Sequence, residues 1–65
     1  MKHNEGNAMR SARKTLHMTQ LDLSRQVGVT ESLITKIETG RCTPDNTTKE
    51  LIAKILGIKT WEIAP

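Results

Sequence analysis

Histidine, cysteine and carboxylate side chains are where bond-making chemistry would sit in a chain of 65 residues, and their arrangement here supports little of it. His3, His17 and Cys42 are the candidate metal ligands, but no two of them have the paired spacing of a tetrahedral zinc site. Cys42 as a nucleophile has no base placed by a recognisable motif. Neither histidine has a carboxylate partner at a readable spacing. The expectation is a chain that is not an enzyme and needs no metal and no cofactor. Hydrogen-bonding chemistry is concentrated instead in TQLDLSRQVGVTESLITKIETG, residues 19–40. Two amphipathic halves meet there at a single glycine, Gly28, and the second half is short and polar along one side.

The elements that must position this stretch follow from periodicity and capping. A first helix is expected to start between Asn4 and Ala8 and end near Leu16, with Met9, Ala12 and Leu16 as its buried stripe. Thr19 reads as the N-cap of a second helix, with Asp22 three residues on in the capping-box position. Leu23 and Val27 face inward, Ser24 is small enough for another backbone to come close, and Gly28 ends the helix. Val29 plugs the turn, Thr30 caps a third helix with Ile34 and Ile37 inward, and Gly40 stops it. A fourth helix is predicted with Thr43 as cap, Pro44 at its first position and Asp45 favourable to the dipole. Its apolar face is Ile52, Ile55 and Leu56, and Gly57 ends it. A last turn or short helix in TWEIA takes Thr60 as cap. The reading is an all-α fold of five helices joined by short connections, with a flexible segment over residues 1–7 and a single domain over 8–65.

Composition agrees with helices. The chain has one tryptophan, Trp61, and neither Phe nor Tyr, so its core must be aliphatic. A chain this small buries only about 60% of its unfolded surface, and Cys42 is alone, so no internal disulfide adds to stability. Met9 and Met18 read as core residues. The N-terminal MKHNEGNAMRSARK has no apolar run of signal-peptide length, and no segment approaches the roughly 18 apolar residues of a membrane span. The expectation is a soluble, cytoplasmic protein of a reducing compartment. A net charge of +3 and a pI near 9.4 suit a polyanionic partner without requiring one.

A helix, a tight glycine turn and a second helix with several residues pointing away from the core make a helix-turn-helix, here over residues 19–39. The second helix then projects and fits a B-DNA major groove about 12 Å wide. MTQLDLSRQVGVTESLITKIETG resembles the Xre family, the lambda-repressor-like helix-turn-helix regulators of bacteria, phages and plasmids. Arg13, Thr19, Gln20, Leu23, Ser24, Val27, Gly28, Val29, Thr30, Ile34, Lys36, Ile37, Glu38 and Gly40 carry the resemblance. Pro44, Ile52, Ala53, Leu56, Gly57 and LGIKTWEI continue it, so that it covers roughly residues 8–63. His17 stands where many relatives have glycine, so the first helix is expected to end differently. Leu21 occupies a commonly charged outward position. Asn46 and Lys49 stand where leucine is frequent, which weakens the inner face of the fourth helix.

The resemblance implies roles. The base-reading positions fall on Glu31, Ser32, Thr35 and Lys36. A lysine can donate to guanine O6 and N7, and a glutamate can accept from cytosine N4 while repelling phosphates elsewhere. Thr19, Gln20, Thr30, Arg41 and Arg10 are expected at phosphates, Gln20 at the positive end of the second helix. Arg13 and Glu38 would pair across the first and third helices as a structural ion pair. Ile58, Trp61 and Ile63 either close the core or form an apolar patch that a second copy covers; relatives of this size usually pair through the terminal helix, which favours a homodimer interface there. The expected partner is double-stranded DNA, with no membrane and no small-molecule substrate, and the expected role is a transcriptional repressor on a palindromic operator. The alternatives are a restriction-modification controller, an antitoxin or a phage switch within the same class, and a protein-interaction module that has lost DNA binding.

Overall fold

The computed structural model of the chain describes residues 5–60 and Ile63. Four helices follow one another: α1 (Glu5–Thr15), α2 (Gln20–Val27), α3 (Glu31–Glu38) and α4 (Asn46–Leu56). Helix α2 packs against both α3 and α4, and α1 contacts the same pair. The shared core is aliphatic: Met9, Leu23, Val27, Ile34, Ile37, Ile52, Ala53, Leu56 and Ile63. Ala12, Met18, Val29 and Leu33 pack around it.

Helix starts are set by short polar side chains. Thr19 accepts from the Asp22 amide at 2.9 Å, and Asp22 accepts from the Thr19 amide at 3.0 Å, a closed capping box. Thr30 accepts from the Leu33 amide at 3.1 Å. The cap of α4 is Asp45, not Thr43: its carboxylate accepts from the Thr48 amide at 2.8 Å, and the helix begins at Asn46. A charge-assisted cap is stronger than a hydroxyl one, and Pro44 lies buried ahead of the helix instead of opening it.

Helix ends share one device. After α2 the chain turns through Gly28 at φ 88°, and the Val29 amide donates back to the Ser24 carbonyl at 3.0 Å. Helix α1 ends in the same way without a glycine. His17 sits at φ 59°, its amide donates to the Lys14 carbonyl, and the Met18 amide donates to that of Arg13. The expected difference at His17 is therefore one of residue type and not of geometry. A side chain in this left-handed conformation costs about 1–2 kcal/mol.

Two further expectations are corrected. Leu16 is 47% exposed and no part of a buried stripe; it lies just past the end of α1 at Thr15, where the chain enters the turn at His17. Met18 packs against the core instead. The described residues contain four α-helices and not five; beyond Gly57 the Ile63 amide donates to the Thr60 carbonyl at 3.2 Å. Trp61 lies outside the described residues.

Candidate nucleic-acid interface

Helix α3 has two chemically opposed sides. Ile34, Ile37 and Glu38 are buried against the body, while Glu31, Ser32, Thr35 and Lys36 are exposed. At about 3.6 residues per turn, the exposed four share one side of the helix. Arg41, also exposed, follows directly: its amide closes the end of α3 by donating to the Lys36 carbonyl at 2.8 Å, with the Gly40 amide on that of Ile37. Thr19 and Thr30 sit at the starts of α2 and α3 with their hydroxyl oxygens already used as caps.

What holds α3 at its angle is a buried carboxylate. Glu38 is fully enclosed, and Arg13 Nε donates to its Oε2 at 2.7 Å while Arg13 Nη2 reaches Oε1 at 3.2 Å. Arg13 Nη1 donates to the Met18 carbonyl at 2.7 Å, so one guanidinium ties α1, the α1–α2 turn and α3 together. Two more donors converge on Glu38 Oε1: Arg10 Nε at 3.4 Å and Gln20 Nε2 at 3.0 Å. Among the described residues no buried side-chain nitrogen or oxygen lacks a partner. Burial pushes the Glu38 carboxyl up, but the bonds from Arg13 and Gln20, the Arg13 charge and the Arg10 bond outweigh it and hold the group below its ordinary value.

Gln20 is therefore more than the first residue of α2. Its Nε2 is held by Glu38, and its Oε1 accepts from Thr35 Oγ1 at 2.9 Å, which links the buried pair to the exposed side of α3. The sequence reading missed this bridge, and it missed Arg10 as a third partner of Glu38. The partners lie 18 and 28 residues from Glu38 along the chain, beyond any helical period. Arg10 still shows 40% of its side chain to solvent, and it shares Glu38 Oε1 with Gln20.

Of the two readings of Ile63, core or dimer interface, the structure bears out the core: the residue is wholly buried within the single chain. Ile58 is half-buried. Leu51, which the sequence reading did not single out, is 42% exposed one helical turn before the half-buried Ile55. Leu21 is 40% exposed on the outer side of α2. No three His, Cys, Asp or Glu side chains converge to hold a metal among the described residues. None of the described helices is long and apolar enough to cross a membrane.

Comparison with known proteins agrees with this geometry at the level of the family. A helix-turn-helix family model matches residues 9–62. No curated protein and no solved structure matches the chain. With the match running from the middle of α1 past the end of α4, the chain belongs to the Xre, lambda-repressor-like helix-turn-helix family of DNA-binding regulatory domains.

Proposed function

We propose that the protein is a sequence-specific DNA-binding transcriptional regulator, acting as a repressor, that reads a palindromic operator as a homodimer. The observation that carries the reading is the two-sidedness of α3. Its inner side is fixed by Ile34, Ile37 and the Glu38 network, while Glu31, Ser32, Thr35 and Lys36 stand outward on a rigid support. Lys36 is suited to guanine O6 and N7, and Glu31 to cytosine N4 with rejection of misplaced phosphates. Arg41 and Arg10 flank that side as phosphate contacts, with the amides at the starts of α2 and α3 beside Gln20, Thr19 and Thr30. The homodimer uses the C-terminal part of the chain, through Ile58 and Trp61, with Leu51 as the exposed apolar residue of α4. One recognition helix reads few bases, and a two-fold pair sets half-sites about 10–10.5 bp apart. The reaction class is binding alone, in the cytoplasm, with no cofactor.

Selection of bound duplexes from a random-sequence pool near physiological salt tests this. The expected winner is a palindrome with half-sites one helical turn apart. Two arginines per subunit at phosphates also predict a log–log salt slope of about −3 to −4 for the dimer. Failure to enrich any sequence, with helical circular dichroism showing a folded chain, would contradict the reading. A second reading, a protein-interaction module, draws on Leu16 and Leu21, both large, apolar and exposed near the α1–α2 turn. It predicts that Leu21→Glu abolishes partner binding, whereas the DNA reading predicts unchanged operator affinity.

A further inference from the structure

The bonds that hold Gln20 also fix the direction in which hydrogen-bond polarity runs across α3. An ionised carboxylate offers lone pairs and no proton, so the end of Gln20 that faces Glu38 at 3.0 Å must be its NH2 group. That turns the amide oxygen, Oε1, to Thr35 Oγ1 at 2.9 Å. An amide oxygen only accepts, so the Thr35 hydroxyl sends its single proton inward. The other neighbour of Oγ1 is the Glu31 carbonyl oxygen at 3.2 Å, which is an acceptor as well. Both destinations of the proton belong to the protein, and the exposed side of Thr35 is left with lone pairs.

We infer that Glu38, acting through Gln20, sets Thr35 as a hydrogen-bond acceptor that selects an exocyclic amino group, adenine N6 or cytosine N4, at one base pair of the operator. This rests on the proposal that α3 reads DNA. Thr35 touches the base; Glu38 and Gln20 are positioning residues. The inference turns a hydroxyl that ordinarily serves either donor or acceptor bases into a one-way reader. It gives the buried ion pair a part in specificity in addition to its part in packing, because the carboxylate's lack of a proton is what orients each group after it.

The probe is the selected operator with single atoms changed. The base pair to examine is the one whose preference Thr35→Val flattens when the operator is varied position by position. There, deleting the amino group (purine for adenine, or 2-pyrimidinone for cytosine) is expected to weaken wild-type binding about 2–10-fold, the worth of one hydrogen bond. The same deletion should leave Thr35→Val binding unchanged and should still be felt by Thr35→Ser. Replacing a purine N7 by carbon should affect wild type and Thr35→Val alike. Gln20→Met cuts the path from Glu38 without touching the Arg13–Glu38 pair, and sensitivity to the amino group should fall because only the longer bond to the Glu31 carbonyl, at 3.2 Å, then holds the Thr35 proton inward. Sensitivity that follows the N7 acceptor, or a Thr35→Val variant that flattens no position, would overturn the inference and leave the DNA reading standing. Undiminished sensitivity in Gln20→Met would remove Glu38 from it. If the pool yields no sequence, the DNA reading itself fails and the inference falls with it.

Discussion

Two contacts hold α3 and α2 in the body, and they are built from opposite chemistry. Beside the buried Met9, the contact toward α1 carries a polar network: Glu38 receives Arg13 and Arg10 of α1, with Gln20 of α2 as a further donor. Toward α4 it is aliphatic: α2 and α4 pack together, and Leu23 and Val27 share one apolar cluster with Ile52, Ala53 and Leu56. Apolar packing is non-directional and tolerates swaps that conserve volume, whereas a charge network has one geometry in which every group is satisfied. The difference suggests a division of labour. The aliphatic side supplies cohesion, and the polar side sets the orientation of the helix proposed to read DNA.

The largest test of that division is Glu38→Ala. It strands the Arg13 guanidinium, which is 7% exposed, and breaking a buried pair costs about 3–5 kcal/mol. A domain of this size has about 3–10 kcal/mol in all, so thermal melting should show a chain at or beyond the edge of folding. Ile52→Leu, an equally buried change on the aliphatic side, should cost less than about 1.5 kcal/mol. Equal losses in the two variants would erase the comparison.

Acid should attack the polar side first. Glu38 has its folded pKa held down, so its contribution to stability is complete above the ordinary glutamate value, about 4.3, and is lost as pH falls through the lower folded value. Asp22 and Asp45, lowered by their bonds with Thr19 and Thr48, act in the same direction. Denaturant midpoints should therefore be flat from neutral pH to about 5 and decline below it. A midpoint that rises on acidification contradicts the assignment.

Lys36, which has no part in the Glu38–Gln20–Thr35 path, should behave independently of both contacts. Lys36→Ala is expected to weaken operator binding by about 1–3 kcal/mol and relax one base position, with the melting temperature unchanged. Smallest of all is a gain. His17→Gly relieves the left-handed strain at the end of α1 against the added flexibility of glycine, a net of about 1 kcal/mol, or roughly 4–8 °C in melting temperature.

How much of this was legible in the sequence follows the same line. Features decided within one turn of chain were readable: the capping box at Thr19 and Asp22, the Thr30 cap, the left-handed Gly28, and the inward Leu23, Ile34 and Ile37. Thr43 was preferred over Asp45 because two caps compete within three residues, and the burial of Pro44 that settles it is tertiary. Leu16 was misplaced because a period holds only while the helix does. Ile63 stayed open between core and interface because terminal apolar residues suit either equally well, and only packing shows its burial. The Glu38–Gln20–Thr35 path joins residues 18 and 15 apart in the chain, where spacing carries no signal.

The most direct measurement is amide chemical-shift mapping of the labelled protein titrated with its selected operator. The largest shifts are expected at Gln20 and along residues 31–41, with Leu51 and Ile55 of α4 unmoved by DNA at constant dimer content. Shifts centred on α4, with Thr35 and Lys36 silent, would show that the outward side of α3 is not the reading surface.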